Sequence, residues 1–418
     1  MSFETFYTLD MSDPTRYHRK TIDAEYFDWL FSMLAGTGLT VLYRANVAGR
    51  CYYNSRLTSP FDHASVNHEN PDAHLWHRVA DMMDVCDPLA EAVRAARKHN
   101  VPIWIWWNWN EWHNVRRDWI DLNDRVWYDK PRKYWCSRDG SRFYCGAPDW
   151  GDTEVVERLL GLAQETLDYG VDGFYLSMRS HSWWPCWPSP GWDSNPEPFG
   201  FNDSVVNTYK KRHGIDIRYE DYDEDKWLRI KGEQFSNMLM RVGAKVHAAG
   251  KHFIMGTEPD RYSLMVDFAT MPNTKSFGPY LKLYKDWEGW VAEGSIDGLC
   301  AEESCPPELK IEGGDIAPFR ETLPSEFPLY TWIDTARWID RGGGPFSLLN
   351  WDPHTPDDVI KQLEVGRNAG AAGVMIHTMY HFTACDSNGE PVGGYGVLPR
   401  TEYLEAIRQW NAGQVRTV

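Results

Sequence analysis

Two short segments place a carboxyl group where a strand would release it into a cleft: Gly256-Thr257-Glu258-Pro259-Asp260 and Leu299-Cys300-Ala301-Glu302. A third acid closes Thr331-Trp332-Ile333-Asp334. Carboxyl groups brought together in this way can divide a proton transfer, one giving and one accepting. Glu258 sits beside Pro259 among aromatic residues, and desolvation there is expected to weaken its acidity, as a general acid requires. Glu302 then takes the part of nucleophile or base. Glu303 replaces it if the register slips by one residue, and Asp334 is the alternative partner across the mouth. A salt-bridge role is the commoner reading of any lone carboxylate. Polar residues at nearly every strand end are harder to explain so.

The remaining strand ends supply hydrogen-bonding groups. Arg44 and Asn46 close one segment, and Asn108, Asn110, Glu111 and His113 lie within Trp106-Trp107-Asn108-Trp109-Asn110-Glu111-Trp112-His113. The run Arg179-Ser180-His181-Ser182-Trp183-Trp184-Pro185-Cys186-Trp187 mixes flat rings with polar groups, while His377 and His381 follow a late strand. Such a set suits hydroxyl groups on a ring-shaped ligand, although the Trp-rich run would also serve as a rigid closing loop or an oligomer contact. The histidines are scattered, with no His-x-His or His-Glu-x-x-His spacing, so no metal and no cofactor is expected.

Positioning these groups falls to an alternation of strands and helices. Strands are expected over 3–9, 40–46, 102–107, 171–177, 252–256, 296–301, 328–333 and 372–377. Helices are expected over 24–35 and 88–98, after the cap Asp152, over 226–249, and from Thr355-Pro356-Asp357-Asp358 to Gly370. Eight strands with intervening helices predict an α/β fold, a single (β/α)₈ barrel domain over 1–418 with long loop insertions near 49–85, 108–151 and 178–225. An open doubly wound sheet is the alternative, but no glycine-rich phosphate loop follows the first strand.

Three strands share a template. Val171-Asp172-Gly173-Phe174-Tyr175-Leu176-Ser177 aligns with Ile296-Asp297-Gly298-Leu299-Cys300-Ala301-Glu302 and, more loosely, with Ala371-Ala372-Gly373-Val374-Met375-Ile376-His377. Strand side chains alternate with period two, so Ser177, Glu302 and His377 are expected to share one orientation. Glycines in equivalent layers would aim all three into the C-terminal mouth.

Composition narrows the partner. A formal charge of −17 over 418 residues disfavours nucleic acid and favours a neutral or lightly charged substrate. The 22 Trp, 21 Tyr and 17 Phe exceed what a core needs, and those in loops could line a wet cleft or a homo-oligomer interface. The eight cysteines have no CxxC pairing, although Cys136 and Cys145 could bridge in an oxidising compartment. No apolar run long enough for a membrane span is found, so no membrane partner is expected. As written, the N-terminus reads as cytoplasmic, with a secreted or periplasmic origin if a signal peptide has been removed.

The strand order, the Tyr169-Gly170-Val171-Asp172-Gly173-Phe174 segment and the Trp-rich strand ends resemble the glycosyl-hydrolase-like (β/α)₈-barrel families of bacterial glycosidases. The resemblance implies a barrel enzyme that hydrolyses a glycosidic bond in an oligosaccharide or glycoconjugate. Several related barrels end the Val-Asp-Gly strand in Asp, where this chain has Ser177; that departure moves the expected pair to Glu258 and Glu302. The two carboxyl groups would flank the bond, roughly 5–5.5 Å or 6.5–9.5 Å apart. Two other readings are a metal-assisted lyase or isomerase using His377, Asp334 and Glu302, and a carbohydrate-binding barrel without catalysis.

Overall fold

Strands covered on both faces need apolar side chains on both, and the eight principal strands of this chain have them. In the computed structural model, residues 3–18, 20–47, 49–66, 73–110, 130–178, 198–262, 282–302, 316–338, 351–377 and 401–414 are described. The strands are β1 (Glu4–Leu9), β2 (Leu39–Arg44), β3 (Ile103–Asn108), β4 (Gly173–Ser177), β5 (His252–Thr257), β6 (Gly298–Ala301), β7 (Leu329–Asp334) and β8 (Gly373–His377). All pair in parallel, and β1 meets β8 to close the barrel. Each expected strand is present, with ends displaced by one or two residues. The architecture is the (β/α)₈ barrel.

The helices begin where their caps dictate. Asp152 accepts from the Val155 amide, Asp87 from Ala90, Asp223 from Lys226 and Asp23 from both Glu25 and Tyr26. Thr355 and Asp358 form a reciprocal capping box ahead of the helix Pro356–Asn368. Each such cap is worth about 1 kcal/mol.

Inside the barrel, alternate residues of all eight strands form one apolar cluster, including Phe6, Trp104, Trp106, Tyr175, Tyr330 and Trp332. So many rings fit only because glycines face them. A Cβ on Gly173 would lie 2.2 Å from the Trp104 ring, and one on Gly298 would lie 2.6 Å from the Tyr330 ring. The acid before each of these glycines has its own task. Asp172 accepts from the Ile103 amide at 2.9 Å, and Asp297 accepts from the Phe253 amide at 2.8 Å. Each ties the entrance of its strand to the preceding one, at the barrel end opposite the mouth, where side chains serve stability. Ala372 takes the same place on β8 without a carboxylate, and its backbone bonds Leu329 and Glu4. The recurring template is therefore a packing device that also sets the register of the mouth.

The expected insertions carry structure of their own. The stretch over 49–85, expected as a long polar segment, contains the helix Ala73–Val85, whose Leu75, Trp76, Val79 and Met82 are buried. Its mean composition is polar because the opposite face is solvated. Within 108–151, Tyr134–Cys136 and Phe143–Pro148 pair as an antiparallel ribbon. Within 178–225 lies the helix Asp203–His213. Lys231 joins the last two to the barrel helices: its side-chain nitrogen donates to the Phe199 carbonyl at 2.7 Å and lies 3.8 Å and 4.2 Å over the Trp135 and Trp227 rings. The segment 40–46, expected as one strand, breaks after Arg44, and Asn46–Val47 turns to pair with Arg50–Cys51. Cys136 carries a free thiol, so the bridge considered for it is not formed. Among the described residues no helix is long and apolar enough to cross a membrane.

The Trp104 ring is backed by Phe6, which packs edge-on against it at 5.2 Å. Replacing Gly173 by Ala is therefore expected to cost about 1–3 kcal/mol in overpacking. Urea denaturation of the purified variant measures it; an unchanged midpoint would show that the ring is free to move.

Candidate active site

Register carries the side chains to the mouth. Asn108 pairs with Ser177, Ser177 with Gly256, and Asp334 with His377. Ala301 pairs with Thr257, and the Glu302 amide donates to the Thr257 carbonyl at 3.0 Å. Glu258 and Glu302 thus leave adjacent strands at matching positions.

Glu302 is a buried carboxyl group of this ring. It is only 1% exposed, and its two oxygens are held separately. The Tyr175 hydroxyl donates a short hydrogen bond to Oε1, while Ser177 Oγ donates to Oε2 at 2.9 Å. Burial, reinforced by Cys300 and by the Glu302 charge, pushes the Tyr175 phenol well above its ordinary value. It stays protonated and stays a donor. Hydrogen bonds of this sense favour an ionised carboxylate, as a nucleophile or base needs. Gly256 makes the arrangement possible: a Cβ there would lie 2.2 Å from the Tyr175 oxygen and 2.4 Å from Glu302 Oε1.

Beside the carboxylate lies an aromatic floor. Trp106 and Trp332 meet at 5.5 Å between centroids, and His377 sits 5.1 Å from Trp332 and 6.2 Å from Trp106. Tyr175 stacks beneath Trp332 at 6.2 Å. The Arg44 guanidinium lies 5.4 Å from the Trp106 centroid and pairs with Asp10 at the end of β1. Burial works to raise the Asp10 carboxyl, but Arg44 and the hydrogen bonds from Ser12 outweigh it and hold Asp10 below the ordinary carboxylate value.

The side chains expected to meet divide into groups. Ser177 and Glu302 touch, and Arg44 and His377 join the same ring through Trp106. Glu258 is half-buried one residue past β5, following the alternation of Ile254 and Gly256. A cation lies against its backbone: the Lys285 ammonium donates to the Glu258 carbonyl at 2.9 Å and to Thr257 Oγ1 at 3.0 Å. Asn108 and Asn110 are buried and tie strand ends together. Asn108 accepts from Trp106 Nε1 at 2.7 Å and exchanges backbone bonds with the Asn46 amide, while Asn110 donates to the Met178 carbonyl at 2.9 Å. The backbone of Asp334 closes β7. Glu111, His113, Arg179, His181, Trp183, Trp184, Glu303 and His381 lie outside the described residues. Among the described residues, no group of three His, Cys, Asp or Glu is arranged to hold a metal ion.

Sequence reasoning missed Tyr175, Trp332, Asp10 and Lys285. The alternation that selected Ser177 also places Tyr175, two residues earlier, on the same face, so that signal was present. Lys285 follows no strand and carried no signal.

Removing one donor from a buried carboxylate leaves it under-satisfied, at a cost of about 1–3 kcal/mol. Tyr175→Phe is expected to lose stability by this amount in chemical denaturation while preserving the far-ultraviolet spectrum. Stability equal to the wild type would mean that the phenol does not support Glu302.

No protein-family model matches the chain. No curated protein matches it either. Among solved structures it is similar to the glycoside hydrolase domain of PgaB (BpsB) from Bordetella bronchiseptica, at 12% identity over 91% of this chain and 95% of that one, with a TM-score of 0.56. It is also similar to the catalytic domain of a β-amylase from Paenibacillus polymyxa, at 12% identity over 98% of each chain and a TM-score of 0.49. A third is the endo-β-1,4-mannanase from Thermotoga petrophila, at 10% identity over 99% of this chain and 76% of that one, with a TM-score of 0.47. The first of these likenesses establishes a shared fold: the chain has the barrel architecture that its strand order and Val-Asp-Gly segment implied.

Proposed function

We propose that the chain is a glycoside hydrolase acting on a neutral oligosaccharide or glycoconjugate, with Glu302 as nucleophile or base and Glu258 as general acid. The observation that carries this reading is Glu302 itself. It is a buried carboxylate at the C-terminal end of a barrel strand, held by two hydroxyl donors beside Trp106, Trp332 and His377. A sugar presents apolar C–H faces to flat rings and hydroxyl groups to polar rims, and this mouth offers both.

In the reaction, Glu258 gives its proton to the leaving glycosidic oxygen as the bond to the anomeric carbon breaks. Glu302 either attacks that carbon or removes a proton from the water that does. The positive charge that develops on the sugar ring is offset by the Glu302 carboxylate, which Tyr175 and Ser177 already orient, so little reorganisation accompanies the step. The similarity to the PgaB glycoside hydrolase domain supports a barrel suited to this chemistry. Asp334, which closes β7 in register with His377, is the second choice for the acid.

Glu302→Gln and Glu258→Gln are each expected to lower sugar release about 10²–10⁴-fold, with the fold preserved. A panel of aryl glycosides and neutral oligosaccharides, read by aglycone and reducing-end release, measures the loss. Wild-type turnover in both variants would overturn the proposal.

A further inference from the structure

The Glu258 carbonyl lies past the last rung of the β5–β6 ladder, which ends at Thr257 and Ala301. A lysine from a distant segment reaches it. Lys285 is fully buried, and its ammonium makes two hydrogen bonds, to the Glu258 carbonyl and to Thr257 Oγ1. Its own backbone is fixed against the chain that follows β5: the Lys285 amide donates to the Arg261 carbonyl at 2.9 Å, and the Leu283 amide to that of Tyr262 at 3.0 Å. Arg261 then forms a two-pronged pair with Glu288, both contacts at 2.6 Å, and lies 4.0 Å over the Trp287 ring. The segment is clamped on both sides of Lys285. Such a clamp is more than a lone backbone carbonyl requires, and a neutral side chain would satisfy that carbonyl without burying a charge.

We infer that Lys285 is a positioning residue that fixes the peptide at Glu258 and, through its charge, holds Glu258 and Glu302 as a coupled pair. This rests on the reading of those two residues as the working carboxylates. Charges that act on the ammonium are Glu258 and Asp260 beyond β5, Glu302 beyond β6, and Arg261. Desolvation lowers the Lys285 amine to about 8, with the three carboxylates opposing the fall. The unfolded chain keeps this amine protonated up to its ordinary value of 10.5, whereas the folded chain releases the proton from about 8 upward. Between those values the unfolded state binds more protons, so the contribution of Lys285 to stability rises with pH. Neutralising Glu302 or Glu258 removes an anion that favours the ammonium, so the rise must then begin at lower pH.

The test compares chemical-denaturation stability from pH 6 to 10.5 for the wild type and Lys285→Gln, in the native, Glu302→Gln and Glu258→Gln backgrounds. Glutamine removes the charge and keeps N–H donors on a side chain one atom shorter, so the onset of the pH dependence, and not the size of the stability difference at one pH, is the readout. The expected result is a wild-type advantage that grows from about pH 8 upward and whose onset moves to lower pH in both neutralised backgrounds. An onset that stays in place in both would reduce Lys285 to a backbone clamp and overturn the inference. If Lys285→Gln does not fold, lysine labelled with ¹³C at Cε reports the same onset in the intact protein and in each glutamate variant; Lys231, which burial also holds well below its ordinary value, is told apart as the depressed signal lost in Lys231→Arg. Neither readout needs turnover. A chain inactive on every glycoside leaves this result standing, and uncoupled titrations leave the glutamate-to-glutamine activity test standing.

Discussion

A carboxylate withdrawn from water must find its hydrogen bonds within the protein, and the barrel mouth is built around meeting that need for Glu302. Tyr175 and Ser177 come from one strand and reach Glu302 across the position of Gly256, which has no side chain to block them. The geometry holds only if β4, β5 and β6 keep their register. A slip of one residue would turn all these side chains to the opposite face. Register, in turn, depends on the opposite end of the barrel, where Asp172 and Asp297 tie strand entrances together and glycines admit the Trp104 and Tyr330 rings. The packed interior and the polar mouth are two ends of one alternation.

That alternation was legible before any coordinates. Period two along three similar segments put Ser177, Glu302 and His377 in one ring, and the structure joins them through direct contact and through the Trp106 and Trp332 rings. The caps Asp152 and Thr355 were legible for the same kind of reason, since a short acceptor before an apolar periodic run has few other uses. Contacts made by residues outside that alternation were not. Lys285 reaches the end of β5 from an irregular segment, and Asp10 meets Arg44 just past the end of β1. Asn108 and Asn110 have the right chemistry for a ligand, yet their described bonds join strand ends, because exposed and buried amides look alike in a sequence.

Two kinds of cation serve this mouth. Arg44 is held by Asp10 and lies against Trp106, where it shapes the aromatic wall. Lys285 stands behind the carboxylates, bonded to the backbone that carries Glu258. An overall acidic chain thus places positive charge close to the two carboxylates proposed for catalysis.

The most direct measurement is a crystal structure of Glu302→Gln soaked with a neutral oligosaccharide. A sugar ring is expected to rest against Trp332 and His377, with its anomeric carbon facing the side chain at 302, directly or across one water, and the glycosidic oxygen facing Glu258. A sugar bound away from the mouth, or one whose scissile bond faces neither glutamate position, would contradict it.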